Sequence, residues 1–449
     1  MSGEQPLSST SGSVQGRVIF MVALICAGEA VYALPFHVTR FFRPTVLEVF
    51  GITAIELGAA QGLYGIIAMI AYFPGGPLAD RFPARKLLAF SLWSTAVGGL
   101  YMATFPGYAG SLLVWGFFGV TTILLFWSAL IRATRDWGGL DTQGRAYGLL
   151  DGGRGLLQAA MATVGVILLS LTLPEGTDPT LQDKEQALRL VIYFYTGVTT
   201  AVGFLVWFGM EDIHPMNVNG DKPKNDGTVL QHIKEVLRIK AVWMQALILF
   251  CAYVAFKGFD NYSLFAAQAY NMRDDDAAMI ATLGSYVRPV AALGAGLLAD
   301  RFNASRMLFL GFIVVLASDL FFAFTEPVPG ATWILLGNIL IACVAIFGFR
   351  ALYFALFEEA KVPPAMTGTA VGLVSIVGYT PDIFVALVAG ILIDANPGAV
   401  GHQHFFMFLA AFAALGVVVS YMLMRMLHAD ESREYKKPPP YGDGFSGDD

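Results

Sequence analysis

Twelve apolar runs constrain this chain more than any other feature. Each holds about 20 residues, enough to cross the roughly 30 Å hydrocarbon core of a bilayer as an α-helix. They fall near residues 17–38, 54–74, 86–105, 110–131, 145–173, 188–210, 241–265, 276–298, 306–324, 331–357, 366–393 and 402–427. A membrane β-barrel would show alternating segments of about ten residues, and these runs do not alternate. Charged residues make up 14% of the chain, against about 25% in soluble proteins. The sequence therefore predicts an all-α membrane protein with twelve transmembrane helices. Cys26, Cys251 and Cys343 all fall inside apolar runs and read as small buried hydrophobes rather than disulfides or ligands. The polar first 16 residues ahead of a long apolar run do not fit a cleavable signal peptide.

Charge is segregated by side. Of the 28 Lys and Arg, the loops on the side away from the N-terminus hold only Arg40, Arg43, Lys184, Arg189 and Arg273. Positive charge collects on the cytoplasmic side of membrane proteins, so both termini are expected in the cytoplasm. The domains expected are an N-terminal tail (1–16), a six-helix bundle (17–210), a polar cytoplasmic linker (211–240), a second six-helix bundle (241–427) and a disordered tail (428–449). The tail contains PPPY, which resembles a WW-domain ligand.

The two halves echo each other. GGPLADRFPARKLL (75–88) returns as GAGLLADRFNASRML (294–308), each after the second span of its half. QGRAYGLLDGG (143–153) is matched by TGTAVGLVSIV (367–377), each opening a fifth span. Internal repeats with a binding site between them are a transporter signature.

Gly76-x-Leu78-Ala79-Asp80-Arg81 followed by Arg85-Lys86 resembles the loop motif of the major facilitator superfamily, and Gly296-x-Leu298-Ala299-Asp300-Arg301 resembles its second copy. The resemblance covers about residues 17–427 and implies two pseudo-symmetric six-helix bundles that work by alternating access. It departs from the pattern at Pro83 and Ala84. The fourth span has Trp115 near the place where many proton-coupled members carry a buried arginine, so the motif does not imply proton coupling. The stretch 125–155, LFWSALIRATRDWGG followed by QGRAYGLLDGGRG, is similar to bacterial permeases of that superfamily.

A carboxylate at a helix end can approach the positive N-terminus of another helix. In the family that partner is the fifth helix of the opposite half. This implies a cytoplasmic gate built from Asp80, Arg81, Arg85, Asp300, Arg301 and Arg145, with Asp80 near Met366 and Asp300 near Gly144 and Arg145. The alternative is a charged loop that only sets topology.

Ionisable groups inside spans are costly and are functional candidates. Asp151 and Arg154 are three apart on one helix face and can form a buried ion pair. Lys257 and Asp260 have the same spacing and can neutralise each other. Arg288 has no carboxylate three or four residues away and needs an anion: Glu29, Asp382 or a substrate. Arg288, Lys257 and Arg350, with Trp127, Tyr253, Asn261 and Tyr379, form the expected substrate site, since aromatic faces with a few polar groups suit a small polar molecule. Glu29, Asp382 and Asp260 are the expected proton-coupling acids. Asp319, near the end of the ninth span, reads as snorkelling or packing.

No Gly-Lys pair occurs, so there is no phosphate-binding loop for ATP, and the histidines show no metal spacing. No enzyme, cofactor, metal or nucleic-acid partner is expected. The chain reads as a monomeric secondary transporter of a bacterial inner membrane. It moves a small organic anion or acidic sugar derivative, with protons as coupling ion and the lipid bilayer as surroundings. Residues 145–173 contain no proline, unlike the Gly-Pro motif of drug exporters in the family, which favours uptake. An exporter or exchanger of the same fold, or a membrane sensor signalling through the linker or tail, is the alternative.

Overall fold

The computed structural model describes residues 14–138, 143–174, 176–211, 234–328, 330–353, 356–359 and 364–435, and regular structure among them is helical throughout. The first half comprises α1 (Gln15–Phe41), α2 (Ala54–Arg81), α3 (Ala84–Met102), α4 (Tyr108–Gly138), α5 (Gln143–Thr172) and α6 (Leu181–Gly209). The second comprises α7 (Lys240–Tyr270), α8 (Asp274–Phe302), α9 (Ala304–Phe324), α10 (Thr332–Leu352), α11 (Ala370–Ala395) and α12 (Ala399–Tyr435). Eleven of these are long and apolar enough to span a membrane. The twelfth, α3, is 19 residues long and begins with Arg85 and Lys86 in its first turn, which dilutes its hydropathy. The protein is a multi-pass integral membrane protein.

Helix starts follow from local chemistry. At α2 the Thr53 hydroxyl accepts from the Glu56 N–H (3.2 Å), and the Glu56 carboxylate accepts from the Thr53 N–H (2.9 Å). Two otherwise unpaired donors are satisfied reciprocally. Thr180 and Asp183 repeat the device at α6. Four spans are irregular in their middles. α1 widens into a π-turn over Ala33–His37, around Pro35. α4 does so over Val120–Trp127. α7 tightens to a 3₁₀ turn at Phe259–Asn261. α11 breaks at Thr380, and a new helix begins with Pro381. Irregular backbone at membrane depth is tolerated where protein or a polar cavity covers it, and these interruptions surround the cavity described below.

Several span ends differ from expectation, and three of the differences matter for the charged residues and the tail. α1 runs three residues past 38 to Phe41, so Arg40 belongs to a span. Arg43 opens the short helix Arg43–Phe50 that follows. Both arginines are buried, not loop charges, because partners in the second half neutralise or bind them. α2 extends to Arg81, which puts Asp80 and Arg81 in a last helical turn rather than a loop. α12 continues to Tyr435, into the tail expected to be disordered from 428. The PPPY motif and most of the 211–240 linker lie outside the described residues.

The halves meet along α2 with α11 and along α5 with α8. For the end of the molecule carrying the linker we use "linker face", and for the opposite end "far face". Toward the far face, α2 and α11 pack backbone to backbone. A Cβ on Gly58 would lie 2.3 Å from the Ala386 carbonyl oxygen, and one on Gly62 would lie 2.6 Å from that of Ile383. Toward the linker face, Gly76 on α2 and Gly148 and Gly152 on α5 have nothing within 4 Å of that position. The halves therefore touch on the far side and part toward the linker.

Candidate substrate cavity

Between the halves lies a cavity of about 110 Å³. Its charged lining is Glu29, Arg40, Arg154, Lys257, Arg288, Arg350 and Asp382. Its aromatic lining includes Phe36, Tyr72, Trp127, Tyr253, Phe256 and Tyr379. The charges form two groups.

The first group joins α1, α5, α8 and α10. The Glu29 carboxylate contacts His37 Nε2 at 3.0 Å and Arg154 Nε at 3.2 Å, with Arg288 Nη1 at 3.8 Å. Arg288 donates to the Asp151 carboxylate at 2.8 Å and to the Gln158 amide oxygen at 2.9 Å. Asp151 and Arg154 thus do not form the i,i+3 pair expected of them. Each turns to a different helix, Arg154 to Glu29 and Asp151 to Arg288, because α5 faces both its own half and the opposite one. The anion that Arg288 needs is supplied by Asp151, with Glu29 more distant.

The second group joins α1, α7 and α11. Arg40 Nε lies 2.5 Å from Asp260, and Lys257 Nζ lies 2.8 Å from the same carboxylate. Lys257 also approaches Asp382 at 3.3 Å, and the Tyr253 hydroxyl donates to Asp382 at 2.9 Å. Asp260 is therefore shared between a cation of its own helix and one from the other half. Arg43 adds a donor to the Asp260 carbonyl at 3.4 Å.

Arg350 differs from the other cations. Its guanidinium carbon lies 4.8 Å from the Phe256 ring centroid, a cation–π arrangement. The nearest carboxylate oxygen among the described residues, on Asp151, is 4.0 Å away. Its Nε is buried with no hydrogen-bond partner.

Arg288, Lys257, Arg350, Trp127, Tyr253, Tyr379, Glu29 and Asp382 all line the cavity. Asp260 is buried behind it. Asn261 is buried too, and neither end of its amide has a partner; it does not line the cavity, because the 3₁₀ turn carries it past the wall. Glu29 and Asp382 are not the free acids expected, since each is held by a cation and a hydrogen-bonding side chain. Arg40, His37 and Gln158 join the site without having been singled out by sequence. Pro35, inside the first run, is the one sequence feature that points to an opened helix between Glu29 and Arg40.

The far face is closed by contacts between halves. The Ser263 hydroxyl donates to the Arg40 carbonyl (2.7 Å), and that of Thr45 donates to Asp274 (2.8 Å). Lys184 reaches Asp274 at 3.2 Å. At the start of α2 the Ala54 and Ile55 N–H groups donate to Asp394 of α11, at 3.3 and 2.7 Å. This is the carboxylate-to-helix-N-terminus device expected at the cytoplasmic gate, found at the opposite end. On the linker face Asp80, Arg81 and Arg301 are exposed. Arg85 donates to the Trp207 carbonyl at 3.4 Å and stacks on its ring. The side chains of Arg145, Asp300 and Met366 lie outside the described residues.

A family model described as Major Facilitator Superfamily matches residues 20–386. The chain is 26% identical to inner membrane protein YihN of Escherichia coli (strain K12), over 91% of this chain and 95% of that one. It is 27% identical to inner membrane protein YqcE of the same organism, over 88% and 92%. Among solved structures, a bacterial homolog to the human lysosomal transporter Spinster, inward-facing and unoccupied, superposes with a TM-score of 0.72 at 15% identity. That match covers 93% of this chain and 99% of that one.

Proposed function

The chain belongs to the Major Facilitator Superfamily and is a transporter rather than an enzyme, and from that premise we propose that its cargo is a small organic anion, of which an acidic sugar derivative is one form. Arg350 is the observation that carries this. Five cations line the cavity, and four are engaged by carboxylates at 3.3 Å or less. Among the described residues, Arg350 has its nearest carboxylate at 4.0 Å and an unpartnered Nε. A guanidinium presents donors in a planar fork suited to a carboxylate, sulfonate or phosphate. Tyr72, Tyr253 and Tyr379, lining the same space, offer faces and hydroxyls to the body of the molecule. Arg288, Lys257 and Arg154 then act through the field they set up, with Trp127 as a further wall.

The proposed direction is uptake with protons, across a bacterial inner membrane, with both termini and the linker in the cytoplasm. On this orientation the linker face is cytoplasmic and the cavity is open inward. A second mode, exchange of one anion for another, is favoured by one observation. Glu29, Asp151, Asp260 and Asp382 each have an Arg or Lys within 3.3 Å, so a proton taken up by any of them competes with an ion pair, least so at Asp382, which shares Lys257 with Asp260.

The test is counterflow in liposomes with small carboxylates, sulfonates, sugar acids and neutral sugars, comparing wild type, Arg350→Ala and Arg350→Lys. Hydrogen bonds to a charged group contribute about 1.5–3 kcal/mol, so Arg350→Ala should lose about 10- to 150-fold in apparent affinity for the anion. Arg350→Lys should recover part of it. A neutral solute exchanged equally by all three would overturn the assignment. Collapse of the pH gradient should stop net accumulation under proton coupling and leave it intact under exchange.

A further inference from the structure

One buried carboxylate takes no part in the cavity. Asp319 lies on α9, five residues before its end at Phe324. It is 3% exposed, so it does not snorkel to the membrane surface. Its Oδ2 is buried without a hydrogen-bond partner, and among the described residues no cation lies within 4 Å of it. The four acids at the cavity contrast with it, Glu29, Asp151, Asp260 and Asp382 each being held by a cation.

The neighbouring groups do not compensate. On α9 itself the Ser318 hydroxyl is buried and unpartnered. From α10, the Asn338 amide donates to the Ser318 carbonyl (3.2 Å), and Arg350 faces the cavity. From α7, Tyr262 is the ionisable side chain near enough for its charge to interact with that of Asp319, and its ring is packed against Phe259, Phe322 and Phe406. From α12, His402 is bonded to Gln268 at 2.9 Å, and Arg425 stacks on Tyr421 at 5.4 Å. On α8, Arg288 is taken by Asp151.

An isolated ionised carboxylate in an apolar setting is so costly that such groups neutralise instead. A sodium ion would need several more oxygen ligands than a lone carboxylate, one serine hydroxyl and a tyrosine provide. We propose that Asp319 is a proton-binding site of the second half, separate from the cavity, and that it holds its proton in this conformation. It supplies what the cavity acids lack, a carboxylate that can carry a proton without breaking an ion pair. This holds whichever solute the cavity takes.

Infrared spectroscopy of the purified full chain tests it. Wild type should show the carbonyl band of a neutral carboxylic acid at neutral pH, shifting in heavy water, and Asp319→Asn should lack it. The variant should keep its melting temperature, because an amide closely replaces a neutral acid. Equal spectra in the two proteins overturn the proposal. So does sodium-dependent stabilisation of wild type that the variant lacks, which would make this a cation site. Should the variant misfold, wild type grown on isotope-labelled aspartate decides the matter: absence of an isotope-shifted neutral-acid band at neutral pH rules the proton out.

Discussion

Asp260 holds two buried cations at once, Arg40 of the other half and Lys257 of its own helix. Removing one partner of a buried pair leaves a charge uncompensated and costs about 3–5 kcal/mol. Asp260→Ala should therefore lower the thermal midpoint strongly. Arg40→Met in the same chain should recover part of the loss, since it removes one of the two orphaned cations. A double-mutant cycle on thermal midpoints measures the coupling, and strictly additive effects would show that the pair is not energetically joined. This group also shows where single-residue reading stops. The Lys257–Asp260 spacing was legible from helix geometry, but the partner 220 residues upstream was not. Asp151 and Arg154 have the same spacing yet part company, because each finds a better partner across an interface that spacing cannot reveal. A lone histidine such as His37 gives no sign in the sequence that Glu29, two turns earlier, will be its neighbour.

At the scale of helices, sequence was far more informative, because a run of about 20 apolar residues has few ways to satisfy its backbone in lipid. All twelve helices are present among the described residues, eleven of them long and apolar enough to span a membrane, with ends displaced by up to eight residues. The largest consequence of such a displacement was at α1, where Arg40 resembles a charge that ends a span. What the runs do not encode is which helices approach each other most closely. The glycines of α2 do so once their neighbours are known. Gly58 and Gly62 leave no space for a Cβ against α11, whereas Gly337 on α10 has nothing within 4 Å. Overpacking costs about 1–3 kcal/mol, while alanine in an open helical position gains about 0.5–1 kcal/mol over glycine. Gly58→Ala should accordingly lower the melting temperature and Gly337→Ala should hold or raise it. Equal effects of the two substitutions would mean that the α2–α11 contact is looser than the structure has it.

At the scale of the whole molecule, the two halves behave as bodies that can touch at either end. In this conformation they touch at the far face, through Asp274 with Thr45 and Lys184 and through Asp394 with the start of α2. Such contacts stabilise only the conformer in which they exist, and an equilibrium shifts by the difference in stabilisation between its states. Loss of about 1–2 kcal/mol changes a two-state ratio by roughly 5- to 30-fold. The variant Asp274→Ala with Asp394→Ala should therefore move the population toward a far-face-open state, in which the linker face closes. A cysteine at Gly152, where the structure leaves open space on α5, reports on this directly. Its labelling by a bulky, water-soluble maleimide should slow several-fold in the double variant, while a cysteine at Ala54, buried at the Asp394 contact, should label faster. Opposite changes at the two faces are what rigid rocking requires. If both sites label faster, the contacts hold the fold together rather than set its conformation. If neither changes, the seal rests on the backbone packing of α2 and α11, and the carboxylates at its edge are dispensable.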